Sequence, residues 1–403
     1  MTSTGNDVYR LLPEGSPLDT PWGWAVVTLV AAGILVAAVA PLVSGLLTLA
    51  ERKVAGHIQA RYGPNRIFGH GFFQWLADGI KLILKEDLIP AEADRILFRI
   101  APYLVMMSTA LVLVVLPFGP QLAAVDMNLG VFYVFAAGSV AVAGVVMSGW
   151  ASNNKWSLLG GMRAAAQIVS YELPNALAVV TVVVITGSLS LQQIVIDQGG
   201  GLGILGWNLF RSPFLFACFL IHLISGLAEL NRTPFDLPEA ESELVSGYNT
   251  EYSGIRFAIF FLSEFANIFV IAVLSAVFFL GGWQGPFLSS IDSLLLSNLL
   301  GATYLMGKVT ILIVLILQLR WTLPRLRVDQ LMVMSWKYLL PISLVCLIAT
   351  AFQVTLPVPA QKWIHLAWLP VAIWVAFNLI SARRRSVPPS IPAPAGGAPG
   401  GAS

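Results

Sequence analysis

Residues 255–280 read IRFAIFFLSEFANIFVIAVLSAVFFL, an apolar run broken by Arg256 at its start and by Glu264 and Asn267 further in. A hydrocarbon core about 30 Å thick takes roughly 20 residues of α-helix, so this run is long enough to cross a bilayer. Eight more runs of the same character flank it, approximately 22–50, 96–118, 131–150, 163–187, 213–230, 301–321, 337–356 and 363–381. The expected fold is therefore an all-α polytopic membrane protein with about nine transmembrane helices. Composition agrees: 57% of the 403 residues are apolar and 11% are charged, against about 25% charged in a soluble domain. That hydrophobicity excludes a disordered chain. A net charge of +2 excludes the concentrated basic face of a nucleic-acid binder.

Basic residues near span ends are retained on the cytoplasmic side. All of the 23 Lys and Arg residues except Arg10, Arg211, Lys308 and Lys362 fall in or beside the odd-numbered connections and the C-terminal tail. The N-terminus is thus expected outside, with Trp22, Trp24, Trp150, Trp283, Trp321 and Trp363 near span ends as interfacial anchors. The expected organisation is an extracytoplasmic segment 1–21, an eight-helix core 22–356, an additional helix 357–382, and a Pro/Ala/Gly/Ser-rich tail 383–403 too polar and small to build a core. Cys218 and Cys346 both sit in apolar runs and form neither a disulfide framework nor a four-ligand zinc site. No metal site, phosphate loop or dinucleotide fingerprint is recognisable.

The inward connections carry the chemistry. In the first, 51–95, Phe72, Phe73, Leu76, Ile80, Ile83 and Leu84 recur at helical spacing opposite Gln74, Asp78, Lys81 and Lys85, which predicts an amphipathic helix lying at the interface. Upstream, Arg61-Tyr-Gly-Pro-Asn-Arg66 places two guanidinium groups around a turn. After the fifth span, Asp236, Glu239, Glu241, Glu243 and Glu251 outnumber Arg232 and Arg256, so the loop is acidic. The usual fate of such a charge run is a solvated loop; where water is excluded, its carboxylates would repel one another.

Within or at the ends of spans lie Glu172, Glu229, Glu264 and Lys308. A charge at mid-bilayer costs about 2.5–3.5 kcal/mol on insertion scales, which makes such residues functional candidates. Three acids face one intramembrane Lys, so pairing within the chain is not expected to neutralise them all. Glu229 shares a helix face with Ser225 and His222, and Pro174 should free the carbonyl of Ser170. Together these groups have the makings of a proton relay.

Glu51-Arg-Lys53 with Gly56, Gln59, Arg61 and Gly63-Pro-Asn-Arg66, then Leu76-Ala-Asp78, Lys81 and Lys85-Glu86, resembles the first cytoplasmic loop of the family of NADH-quinone oxidoreductase H subunits. So do Gly149-Trp-Ala-Ser-Asn153, Arg163-Ala-Ala-Ala-Gln167 and Ser170-Tyr-Glu172, the stretch from Ala228-Glu-Leu-Asn-Arg-Thr-Pro-Phe-Asp236 to Glu251-Tyr252, and Pro324-Arg-Leu-Arg-Val-Asp-Gln-Leu-Met332. Trp75 stands where the family usually has Pro, and Val328 where it usually has Tyr.

The resemblance implies a membrane subunit of respiratory complex I in the bacterial inner membrane. It implies quinone as substrate, no covalently bound cofactor in this chain, and no catalytic redox residue. Iron–sulfur clusters and FMN would belong to peripheral-arm partner subunits, and antiporter-like membrane subunits would be further partners alongside membrane lipid. Carried onto this sequence, Glu51, Arg52, Arg61, Arg66, Asp78, Arg325 and Arg327 would line or brace a quinone tunnel. Glu172, Glu229, Asp236, Glu239, Glu241, Glu251 and Glu264, with Lys308 and His222, would form the proton relay. The alternatives are the homologous subunit of a membrane-bound hydrogenase and a stand-alone ion transporter.

Overall fold

A 38-residue helix, α1 (Pro21–Ile58), leads a computed structural model that describes residues 21–67, 69–199, 206–238, 244–286, 288, 293–357, 368 and 370. Every regular element among them is helical. The first apolar run ends near residue 50, but α1 continues to Ile58. Glu51, Arg52 and Lys53 therefore belong to a helix rather than to the connection, because all three are good helix formers and Glu51 is buried.

The predicted amphipathic helix is α2 (Gln74–Leu84), none of whose residues is buried. Leu76, Ile80, Ile83 and Leu84 are exposed along one stripe. Trp75 docks the helix on α1: a Cβ at Gly45 would lie 2.6 Å from its ring, so only glycine leaves room for the indole.

Helices α3 (Arg95–Val115), α4 (Gly130–Ala151) and α5 (Lys155–Thr186) follow. The Asp94 side chain accepts from the N–H groups of Ile96 and Leu97 and starts α3. Asn154 does the same for α5 through Trp156 N, so α5 begins at Lys155 instead of the expected 163. Two short helices, α6 (Leu191–Asp197) and α7 (Asn208–Arg211), lead to α8 (Pro213–Glu229), which Ser212 caps. A single 3₁₀ turn, Gly247–Asn249, precedes α9 (Gly254–Phe279). That turn lies against α5 because residue 160 is glycine; a Cβ there would come within 2.6 Å of Gly247 Cα.

Helix α10 (Leu294–Thr322) starts earlier than the predicted 301. Helix α11 (Val328–Thr355) likewise starts before the predicted 337. Gln330 Oε1 accepts from Arg327 N and caps its start. The coil widens to a π-turn at Met334–Leu339, just before Pro341 removes a backbone donor.

Six of these helices, α3, α4, α5, α9, α10 and α11, are long and apolar enough to cross a membrane, with α8 a shorter apolar helix. The chain is thus a polytopic membrane protein, all-helical among the described residues. Apart from residues 368 and 370, the ninth run lies outside the described residues, as do the segment before Pro21 and the tail. α9, with 61% of its most apolar stretch buried, is the central helix, with α1, α3 and α10 packed against it.

Candidate functional site

Three cavities follow one another through this bundle. The first, about 430 Å³, opens between α1, α2 and α9. Gly45, Trp75, Ile80 and Phe261 give it mostly apolar walls, and Arg52 and Asp78 stand at its edge. Arg52 Nη1 donates to Asp78 Oδ2 at 2.5 Å, Gln74 Nε2 donates to Asp78 Oδ1 at 3.1 Å, and Lys81 Nζ stands 3.7 Å from the same carboxylate. Ser44 Oγ, donating to Leu262 O at 2.9 Å, ties α1 to α9 beside this space.

The second cavity, about 200 Å³, shares Thr48, Arg52, Phe257 and Phe261 with the first. Its interior is ionic. Arg232 places Nε 2.6 Å from Glu264 and Nη1 3.1 Å from Glu51, while Arg320 on α10 bonds the other side of Glu51. Two guanidinium groups thus face two carboxylates, and the Arg232 guanidinium also lies 4.4 Å from the Phe265 ring.

Arg232 reaches this position because the chain turns back sharply after α8. Asn231 takes the left-handed conformation (φ 50°). Gln167 Nε2 gathers Ala228 O, Asn231 Oδ1 and Phe235 O at 2.7, 3.1 and 2.8 Å. Of the three intramembrane acids that one intramembrane Lys is not expected to neutralise, Glu264 is met by Arg232, a loop residue that enters the bundle.

The third cavity, about 120 Å³, is enclosed by α3, α4, α5, α8 and α9. It brings together Glu172, Asn175, His222, Glu229, Asn267 and Ser108. Asn175 Nδ2 donates to Glu229 Oε1 at 2.8 Å, and its Oδ1 lies 2.7 Å from His222 Nδ1. Thr109 Oγ1 donates to Asn267 Oδ1 at 2.9 Å. Glu264 and Asn267, one turn apart on α9, line the second and third cavities respectively. Among the described residues, neither Glu172 nor Glu229 has an ion-pair partner.

The carbonyl freed by Pro174 is not left open. Ser335 Oγ, from the π-turn of α11, donates to Ser170 O at 2.6 Å, and Trp336 Nε1 donates to Ser170 Oγ at 3.3 Å.

The other expected residues lie apart from these cavities. Asp236 pairs with Arg325 at 2.7 Å, joining the acidic loop to the late loop, where Leu326 N also donates to Pro234 O. Glu251 accepts from Asn154 Nδ2 at 2.6 Å. Arg61, held by Gln59 Oε1 at 2.6 Å, and Arg66 and Arg327 are exposed. Lys308 donates to the carbonyls of Leu280, Gly282 and Gln284 at 2.6–2.8 Å and sits 4.2 Å from the Trp207 ring centroid. Glu239 and Glu241 lie outside the described residues.

Sequence reasoning missed Asn175, Arg232 and Arg320 as site residues. Asn175 stands three residues after Glu172 within an apolar run, and that spacing was the available signal. Beside the cavities, Tyr252 stacks on Phe98 with ring centroids 4.0 Å apart, and burial lifts its phenol above the ordinary 10.0.

Arranged in this way, an apolar chamber with a charged rim adjoins an ionic cluster and then a cavity of carboxylates hydrogen-bonded to neutral groups. Such an arrangement can hold an apolar ligand with a polar head, and it can register charge that appears beside it.

Residues 30–351 match the NADH dehydrogenase family. An NADH-quinone oxidoreductase H subunit from Anaeromyxobacter dehalogenans is 46% identical over 380 residues, covering 90% of this chain and 91% of its own. The protein of the same name from Chlorobaculum tepidum is 45% identical over 80% of this chain and 92% of its own, and that from Bacteroides thetaiotaomicron 41% over 82% and 92%. With motifs, length and helical architecture in agreement, the chain belongs to the NADH dehydrogenase family, among the H subunits of NADH-quinone oxidoreductase.

Proposed function

We propose that this chain is the membrane subunit of a proton-pumping NADH:quinone oxidoreductase. In this reading it forms the quinone-access tunnel and couples quinone reduction to proton translocation through its acidic residues. It works in the bacterial cell membrane, with its N-terminus outside and nine spans. Its partners are peripheral-arm subunits carrying iron–sulfur clusters and FMN, and antiporter-like membrane subunits. Quinone is its substrate.

The observation that carries the reading is the succession of cavities. The 430 Å³ chamber falls in the size range of sites for small organic ligands, and Arg52 with Asp78 gives a polar head group something to meet at its inner edge. From there the residues shared between cavities lead to the Glu51–Arg232–Glu264 cluster, and the Glu264–Asn267 turn of α9 leads on to Glu229 and Glu172.

The chemistry is electrostatic. An extra negative charge on a reduced quinone about 10 Å from a carboxylate changes the cost of ionising it by roughly 1.7 kcal/mol at an effective dielectric near 20. That is more than one pKa unit. Quinone reduction thereby shifts proton occupancy in the cluster, and the buried acids pass the change along, as a coupling between two sites requires.

Glu229→Gln in the assembled enzyme tests this. Proton translocation per electron should fall while the subunit content of the complex is retained. Unchanged translocation and turnover would remove Glu229 from the path.

A further inference from the structure

Asn175 holds two partners whose demands are linked. Its Nδ2 donates to Glu229 Oε1 at 2.8 Å, so its Oδ1 is the atom facing His222 Nδ1 at 2.7 Å. A carbonyl oxygen only accepts, so Nδ1 must carry the proton. The other ring nitrogen, Nε2, is then the free base. It is buried and, among the described residues, has no hydrogen-bond partner, on a side chain 2% exposed and flanked by Phe278 and Phe279 at 5.9 and 5.6 Å between ring centroids.

Protonation of Glu229 at Oε1, the oxygen that faces Asn175, would reverse each assignment. A carboxyl O–H donates, so the Asn175 amide would turn to offer Oδ1 to Glu229 and Nδ2 to His222 Nδ1. That nitrogen would have to become an acceptor, and the imidazole proton would sit on Nε2. The second arrangement holds one proton more than the first, and that proton is on Glu229. The imidazole carries one proton in both, released from Nδ1 and taken up at Nε2.

We infer that Asn175 is a positioning residue of the proton path, coupling the ionisation of Glu229 to the tautomer of His222 through the orientation of its side-chain amide. The inference rests on the relay proposed above and adds to it a base, Nε2, whose availability depends on Glu229. The ionisable groups lining the cavity around the ring are Glu229 on its own helix and Glu172 on α5. α9 contributes Asn267 and apolar side chains, α3 contributes Ser108 and Val112, and α4 contributes no ionisable group.

The test uses the assembled enzyme in membranes. His222→Asn keeps an N–H donor close to the Nδ1 position but has no titratable Nε2. Asn175→Leu removes the bridge, and Asn175→Ser serves in its place if the Leu variant does not assemble. Each single variant should lower proton translocation per electron by about threefold or more and shift the pH profile of turnover. The double variant should be no worse than the stronger single one, because both break one connection. Redox-induced infrared difference spectra should lose the histidine tautomer band in Asn175→Leu while the carboxyl band remains.

Wild-type translocation and pH profile in His222→Asn would overturn the inference, as would additive losses in the double variant. Glu229→Gln run alongside separates the two levels. If that variant alone is impaired, the histidine coupling fails and the relay stands. If Glu229→Gln is also unaffected, the relay itself fails.

Discussion

Arg232 and Glu264 meet at 2.6 Å inside the bundle, the first from the turn after α8 and the second from the central helix α9. The Arg232 side chain is 6% exposed. Removing one partner of a buried pair leaves the other charge uncompensated, a loss of about 3–5 kcal/mol. Arg232→Ala should therefore deplete the assembled protein or lower its thermal midpoint sharply. Adding Glu264→Gln should recover part of that loss, since fewer unpaired carboxylates remain. Equal midpoints for the wild type and Arg232→Ala would show that the pair contributes no stability.

Asp78 stands at the rim of the largest of the three cavities, with a partly exposed partner. Exposed pairs contribute about 0–1 kcal/mol, so Asp78→Asn should leave stability nearly unchanged. Its effect should appear in steady-state kinetics as a several-fold rise in the KM for quinone, with kcat retained. A wild-type KM would take Asp78 out of quinone binding.

Ser335 and Pro174 make a pair of opposite effects. Ser335→Ala should cost about 1–3 kcal/mol by leaving the Ser170 carbonyl without its donor. Pro174→Ala restores a backbone N–H four residues on. The double variant should then unfold closer to the wild-type temperature than Ser335→Ala alone. If the two losses simply add, Ser335 is not acting through that carbonyl.

Tyr252 gives the alkaline side of the stability curve. Burial raises its phenol, against a smaller opposing effect from Arg256, so the unfolded chain ionises first. The contribution is present below pH 10.0 and is lost as pH rises towards the higher folded value. The stability advantage of the wild type over Tyr252→Phe should shrink above that pH in thermal melts. An advantage that grows there would reverse the sign.

Much of this architecture was legible in the sequence because a membrane span announces itself by length alone. The stripe in 72–85 also revealed α2, since its spacing is that of a helix surface. Helix ends were less legible. α1 overran its apolar run through Glu51 and Arg52, and α11 began at Val328, because capping and side-chain partners set those ends and hydropathy does not report them. The intramembrane acids could be named, but their company could not. Arg232 reads as a loop residue, and only the fold-back at Asn231, clasped by Gln167, sends it to Glu51 and Glu264. Asn175 was hidden for a similar reason: its meaning depends on His222 and Glu229, which are distant in sequence and arrive from another helix.

Lys308 bears on the shape of the proposed relay. Its ammonium fills the bowl made by the carbonyls of Leu280, Gly282 and Gln284 and is roofed by Trp207. An amine anchored to three carbonyls just past the C-terminal end of α9 pins the turn 280–284 to α10. In the proposed relay it would serve as a stationary post at that end of the bundle, with the hydrons moving among the acids nearer the middle.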